Sequence, residues 1–302
     1  MRVGYPAMLT PQQQEALAYF SRAAGEWRKK AEGGAPKFNV IAARNAYVLA
    51  TAEDTGTKGS ALDVGCGTGE LVCDLASEGW NAMGIDFAPD MIRLAKEKAA
   101  VHGVTVALVC ASVFEHAFAP ASFDLVAANG FIEYIAWGEL QTFLRLVRKI
   151  LKKNGVLVVG SRNRLFNAFS LNAFTAMECA CGALPHLVQE AVQIAEAKDM
   201  TALIDALAAS QIALPRHGSH PGTTGIGVSV RHQYTPGELV RLFREHGFAV
   251  RELHPVHYHA TPPHFKDMHP SIHTDLATLF QNFATMELLP FSSSFMVRAE
   301  PA

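Results

Sequence analysis

No uninterrupted apolar run in this 302-residue chain reaches the roughly 20 residues a membrane-spanning helix needs. A basic-then-apolar leader is also missing at the start of the sequence. Together these absences lead to the expectation of a cytoplasmic protein with no membrane partner. An excess of one charge sign is lacking too: 26 Lys and Arg face 28 Asp and Glu, for a formal net charge of −2. That balance provides no broad basic surface for nucleic acid. Cysteine is sparse, with five residues at 66, 73, 110, 179 and 181. The odd count, with three of them in predicted core elements, reads as reduced thiols rather than a disulfide framework. Cys179 and Cys181 stand too close for a zinc-ribbon pair and read as helix surface. Internal repeats and low-complexity tracts are absent. What remains is a chain 49% hydrophobic and 18% charged, the profile of a globular protein long enough for one sizeable core, with or without a lid.

The feature present in force is Ala61-Leu62-Asp63-Val64-Gly65-Cys66-Gly67-Thr68-Gly69-Glu70. A short apolar run leads through an acid into three glycines at alternate positions, and Leu71, Val72, Leu75 and Ala76 follow at helical spacing. The pattern predicts a strand-to-helix turn where glycine lets a flat ligand lie against backbone. A dinucleotide turn carries its third glycine one residue later, where Glu70 stands, and a phosphate loop carries Gly-Lys-Ser/Thr, which is missing. A turn without a cation, followed by an acid, suits a ligand with hydroxyls and no phosphates. S-adenosylmethionine (SAM) is such a ligand.

These residues resemble motif I of the class I SAM-dependent methyltransferases. The resemblance implies that Asp63, Gly65, Cys66, Gly67 and Gly69 surround SAM. Asp86 ends the second predicted strand (Ala82 to Ile85), 17 residues beyond Gly69, where an acid can accept both ribose hydroxyl hydrogens. A plain helix cap ahead of Pro89 is its alternative. Asp86-Phe87-Ala88-Pro89-Asp90-Met91 is similar to the family's D-x-S-x-x-M segment, with Ala88 in place of serine, and brings Phe87 and Met91 into the expected site. A third strand covers 104–109. Ser112 then occupies the position where the family usually has an aspartate facing the adenine amino group, so Ser112 and the backbone of Val113 are expected there. Phe123 to Ala128 reads as the fourth strand and Asn129 to Tyr134 as the loop at its carboxyl end, where ligands collect in a doubly wound sheet. Asn129 and Gly130 are therefore expected beside the reacting methyl and Tyr134 near the acceptor. Glu133 reads as the start of the next helix.

The periodic helix 138–152 and a strand from Val156 to Gly160 complete an alternation over about 60–161, which predicts parallel strands with helices on both faces. Ahead of it, residues 11–32 and 39–52 read as amphipathic helices. With Tyr19, Arg28 and Arg44 they resemble the N-terminal cap of ubiquinone-type methyltransferases, which implies that one of these three meets the methionine carboxylate of SAM. After strand five, residues 162–230 break the alternation with helical segments and a Pro/Gly/His-rich loop, and such insertions overhang the ligand site. Arg162, Asn163 and Arg164 stand at its root, either to clamp an anionic group of the acceptor or to pair with acids of the insertion. The alternation resumes at Thr235-Pro236-Gly237-Glu238, a capping box with proline at the first helical position. Strand six runs over 249–256, a helix over 272–286, and a last strand from Ser294 to Ala299. The resemblance implies that this last strand is antiparallel and lies between strands five and six.

Histidine is abundant at thirteen residues. The spacings 257/259 and 269/273 can ligate metal, but no cysteine or carboxylate cluster accompanies them, so no metal is expected. Chain direction places His257-Tyr258-His259 and Arg231-His232-Gln233-Tyr234 on the ligand face. His232 or His257 is expected as a general base, Tyr234 or Asn129 as the group that orients the acceptor, and His259 as an acceptor contact. The sequence thus predicts a doubly wound, mostly parallel seven-stranded α/β sheet, with a helical cap (1–52), a SAM-binding core in two parts (53–161 and 231–302) and a helical substrate lid (162–230). Its expected activity is methyl transfer from SAM to a small molecule, at a hydroxyl oxygen, with an amine acceptor or other SAM chemistry as alternatives. Asn129-Gly130-Phe131-Ile132 is not the N/D-P-P-Y/F/W tetrapeptide of nucleic-acid methyltransferases, which agrees with the absence of a nucleic-acid partner.

Overall fold

A computed structural model describes residues 10–33, 38–56, 58–215, 227–228 and 231–302. Helix α1 (Pro11–Glu32) starts on a capping box: the Thr10 hydroxyl accepts from the Gln13 N–H at 3.2 Å and the Gln13 side chain accepts from the Thr10 N–H at 2.8 Å. Helix α2 (Val40–Asp54) is capped by Asn39, whose side chain accepts from the Ala42 N–H. The alternation then runs β1 (Ser60–Val64), α3 (Glu70–Ser77), β2 (Asn81–Asp86), α4 (Pro89–His102), β3 (Ala107–Cys110), β4 (Phe123–Asn129), α5 (Trp137–Ile150) and β5 (Leu151–Arg162). Three helices follow, α6 (Ala173–Ala180), α7 (Leu184–Glu196) and α8 (Met200–Ala209). The chain closes with α9 (Pro236–Glu245), β6 (Phe248–Tyr258), α10 (Pro263–Met268), α11 (Pro270–Gln281) and β7 (Ser292–Pro301).

The seven strands form one sheet in the order β3-β2-β1-β4-β5-β7-β6, and β7 alone runs antiparallel to both its neighbours. The central strands are buried on both faces, which is why they read as unbroken apolar runs: Leu125 to Ala128 and Leu157 to Val159 are fully buried. The placement of β7 between β5 and β6 is as expected. Several boundaries differ: the helix expected over 272–286 is α11, which ends at Gln281, β6 and β7 run longer than expected, and two strands of the core start elsewhere. β3 starts at Ala107 because Gly103 takes a left-handed turn (φ 65°) and the Val104 N–H closes the end of α4 on the Ala99 carbonyl. β5 begins at Leu151, which pairs with Phe123 across an irregular register before regular pairing sets in at Leu125 and Val156.

The described part of the insertion is a layer on the sheet. Leu187, Ile194, Leu203 and Leu207 are fully buried in the main core. The Glu190 carboxylate accepts from the Thr235 hydroxyl and the Gly237 N–H, both at 2.8 Å, and so holds the start of α9. Pro215 is the last described residue before a stretch, 216–226, that lies outside the described residues, as do 229 and 230; most of the loop expected to overhang the site falls there. All five cysteines are free thiols. Among the described residues no helix is long and apolar enough to cross a membrane.

Candidate active site

The strand order reverses between β1 and β4, and a doubly wound sheet opens a crevice at the carboxyl ends of its strands at such a point. The crevice is a cavity of about 1410 Å³ counted with the open space at its mouth, the kind of concave site in which small ligands bind. Gly65 and Gly67 form its floor in left-handed backbone, with φ of 68° and 52°, a conformation that L-residues with a Cβ rarely adopt. A Cβ added at Gly67 would meet no atom of the described residues within 4 Å, so its missing side chain opens onto the cavity. Gly69 does otherwise. A Cβ there would press on the Ala95 Cβ at 2.8 Å, so this glycine serves the close packing of α3 on α4 and does not line the cavity.

The floor is acidic. Asp86 accepts from the Gly67 N–H at 3.1 Å and from the Ala88 N–H at 2.9 Å, so the carboxylate holds the glycine turn and caps α4 together. Burial pushes its carboxyl up to about 6 against these donors. Asp63, wholly buried below, is pushed up to about 8 by burial and then by the charges of Glu70 and Asp86. Glu70 is offset by Lys98 at 3.1 Å, and burial keeps the Cys66 thiol protonated. Met91, Phe87, Ser112, Val113 and Phe114 complete this side of the cavity.

The opposite wall is basic. Glu133 is 1% exposed and sits among three guanidinium groups: Arg231 at 2.9 Å, Arg44 at 3.2 Å and Arg162 at 3.7 Å. Burial would raise its carboxyl, but Arg231, Arg44 and Arg162 together hold it below the usual range. The Arg44 Nε also donates to the Ser294 hydroxyl at 2.8 Å. Arg231 keeps a buried Nη1 with no hydrogen-bond partner among the described residues. Asn129 donates to the Asn45 side chain at 2.9 Å, while its own carbonyl oxygen is buried without a hydrogen-bond partner among the described residues. Gln13, Phe20 and Trp27 of α1 roof the cavity, and Tyr134 and Gly130 lie on the same wall as Arg44.

Several sequence-predicted residues stand elsewhere. Arg28 is surface-paired with Glu32 and Glu97 at 3.1 and 3.3 Å. Tyr19 is buried against Ala23 and Val228, behind the roof. Arg164 forms a buried pair with Glu178 of the insertion at 2.8 Å, and Asn163 donates to the carbonyls of Leu289 and Ser292. Arg162 reaches Glu133 without lining the cavity. Tyr234 is 1% exposed in the main core. His232 donates its backbone N–H to the Glu133 carbonyl at 2.8 Å, and its ring does not line the cavity. His257 and His259 lie in a separate group with His273. No histidine is among the described residues lining the cavity, because β6 carries its histidines two strands beyond β5, past β7. Sequence reasoning missed the structural importance of Glu133, which reads as an ordinary helix start, and the partnership of Asn45 with Asn129. An acid in the loop after β4 with arginines on three other segments was the available signal for the first.

The buried acids set a pH dependence for the ligand-free protein. Asp63, Glu190 and Asp86, at about 8, 7 and 6, all hold protons more tightly folded than at the ordinary carboxyl value of about 4. The stability they contribute is full at low pH and is lost as pH rises through these values. Half-buried His254 and buried His257, His259 and His273 are lowered, chiefly by burial, and remove stability as pH falls below about 6.5. The melting temperature is therefore expected to peak near neutrality and to fall between pH 7 and 9. A rise across that interval in calorimetry would contradict the assignment of Asp63 and Glu190.

Residues 61–155 match the family described as a methyltransferase domain. A ubiquinone biosynthesis O-methyltransferase of Azorhizobium caulinodans is 36% identical over 110 residues, covering 36% of this chain and 43% of the relative. The corresponding enzyme of Xanthomonas axonopodis is 31% identical over 159 residues, covering 52% of this chain and 65% of the relative. The chain thus spans 43–65% of the length of these relatives. Among solved structures, magnesium protoporphyrin IX methyltransferase from Synechocystis with bound S-adenosylhomocysteine superposes with a TM-score of 0.57 at 13% identity, over 96% of this chain and 100% of that one. The cyclase SpnF superposes with a TM-score of 0.56 at 15% identity, over 99% of each chain.

Proposed function

We propose, from the premise that the chain carries a class I SAM-dependent methyltransferase domain with SAM as its cofactor, that it moves the SAM methyl to a hydroxyl of a small molecule. The observation that carries this reading is the two-sided cavity. Its acidic glycine-turn floor suits the ribose and sulfonium end of SAM, and its basic wall suits anions. Asp86 takes the ribose hydroxyls, Gly65 and Gly67 let the ligand lie on backbone, and Phe87, Met91, Ser112 and Val113 hold the adenine. Arg44 takes the methionine carboxylate, a role that fits its place on α2 beneath the roof.

The acceptor then lies between Asn129, Tyr134 and Arg231. The reaction is an in-line displacement at the sulfonium methyl, and the protein's main contribution is alignment of the nucleophile with the carbon–sulfur bond. Among the described residues no histidine lines the cavity to take a proton. An acidic, phenol-like hydroxyl fits this arrangement best. The buried Arg231 Nη1 favours the ionised oxygen electrostatically, and the free Asn129 carbonyl orients a neighbouring hydroxyl or amine. Similarity to ubiquinone O-methyltransferases supports the oxygen acceptor.

The fold is shared by a cyclase, so other SAM-fold chemistry is the second reading. Turnover separates the two. Phenolic acceptors are expected to give S-adenosylhomocysteine in proportion to methylated product, with Asn129→Ala and Arg231→Lys lowering kcat by up to roughly 100–1,000-fold, the cost of losing one positioned hydrogen bond. Amine acceptors are expected to be slower. Acceptor consumption without S-adenosylhomocysteine would replace methyl transfer by the second reading.

A further inference from the structure

Strand β6, the residue that follows it and helix α11 gather three imidazoles outside the SAM cavity. We propose that His257, His259 and His273 form a three-histidine site for a divalent transition-metal ion of the zinc class. One nitrogen from each ring lies within 4.8 Å of the other two, and the ring centroids are 4.3, 4.8 and 5.2 Å apart. His257 Nε2 and His273 Nε2 are separated by 3.0 Å. Two nitrogens at roughly 2.0–2.1 Å from one tetrahedral ion stand about 3.3 Å apart, so the pair needs only a slight widening to share an ion.

The second observation is His259. It is 6% exposed, and neither of its ring nitrogens has a hydrogen-bond partner among the described residues. An imidazole presents one donor and one acceptor, and buried groups of this kind are normally satisfied. An ion between the rings supplies the partner for the acceptor. The surroundings already aim the ligands. Ser293 Oγ lies 2.9 Å from His257 Nδ1, so an Nδ1–H donated to that hydroxyl frees Nε2 for metal, the usual outer support of a ligating histidine. The His259 N–H is held by the Phe291 carbonyl at 2.9 Å. The His257 backbone sits in the left-handed region at φ 61°, a conformation uncommon for a residue other than glycine. Gln281 of α11 accepts from the His257 N–H at 3.2 Å and donates to the Pro255 carbonyl at 3.1 Å, tying the helix that carries His273 to the strand that carries His257 and ends just before His259.

Phe38 stacks on His257 at 4.9 Å and Phe166 packs on His259 at 4.6 Å, so the group is walled by apolar rings. Burial, with Lys266 and Arg162 nearby, keeps the imidazoles neutral, the form that binds metal; Asp267 faces His273 as the opposing charge. Three nitrogen ligands leave a fourth position for water, as in zinc sites that keep an open position.

The test uses the full chain stripped with a chelator and titrated separately with Co²⁺ and Zn²⁺. One ion per chain is expected, with the visible bands of four-coordinate cobalt, a zinc-dependent rise in melting temperature, and X-ray absorption showing three imidazole nitrogens at about 2.0 Å. His259→Ala and His273→Ala are each expected to weaken zinc binding by more than the roughly 10–100-fold that an outer-shell partner commands, with unchanged circular dichroism. If a variant does not fold, the wild-type ligand count decides. A stripped wild type that takes up neither ion, a bound ion with fewer than three imidazole ligands, or folded variants with wild-type zinc affinity would each overturn the site.

Discussion

Gly67→Val is expected to abolish SAM binding, and Asp86→Ala to weaken it by roughly 1.5–3 kcal/mol, about a 10- to 150-fold rise in Kd. The two act differently. A side chain at Gly67 projects into space that no atom of the described residues occupies within 4 Å of its Cβ, so it fills the volume proposed for the ligand; its φ of 52° adds backbone strain. Asp86→Ala removes the proposed ribose acceptor, and it also frees the Gly67 and Ala88 N–H groups that the carboxylate holds at 3.1 and 2.9 Å. Part of its loss is therefore a looser turn. Asp86→Asn, which keeps the size and one acceptor oxygen, is expected to fall between wild type and Ala. Because Asp86 protonates at about 6, wild-type affinity should fall as pH drops through that value, and the Asn variant should lose this dependence. Calorimetric titration with SAM and S-adenosylhomocysteine checks all of this. Unchanged affinity in both Gly67→Val and Asp86→Ala would place the cofactor elsewhere.

The floor of the cavity was legible in the sequence because it is local. A strand, a glycine turn and a helix are contiguous from Ser60 to Ser77, and the acid at the tip of β2 is fixed by the next strand alone. Fold and strand order followed from the alternation and from the resemblance it carries. What stayed hidden depends on side chains meeting across distant segments. Glu133 looks like any first-turn acid until Arg44, Arg162 and Arg231 arrive from three other places in the chain. Arg164 and Asn163 read equally as acceptor clamps or as partners of the insertion, and only side-chain positions decide between the two: Arg164 pairs with Glu178 of the insertion, and Asn163 donates to the Leu289 carbonyl. The late histidines were assigned by strand direction, which gives the face of the sheet but not the lateral distance. With β7 between β5 and β6, that distance carries His257 out of the cavity.

Glu133→Ala is expected to destabilise the protein by roughly 3–5 kcal/mol, the usual cost of removing one member of a buried ion pair. The carboxylate is 1% exposed and stands within 3.7 Å of three guanidinium groups. Without it Arg44 and Arg231, both largely buried, face each other uncompensated beside the cavity. Crowding already tells on Arg162, which burial and then Arg231 push down to about 10. Glu133→Gln keeps an oxygen for one arginine and its shape, so its loss should be smaller than that of Ala. Urea unfolding of the ligand-free proteins measures both. The same variants probe the basic wall. A carboxylate-bearing ligand supplies some of the missing negative charge, so S-adenosylhomocysteine should raise the melting temperature of Glu133→Ala by more than it raises that of the wild type. Equal shifts would mean that the ligand carboxylate does not reach Arg44 and Arg231. A loss below about 1 kcal/mol for Glu133→Ala, in the range of exposed pairs, would mean that water already screens the cluster.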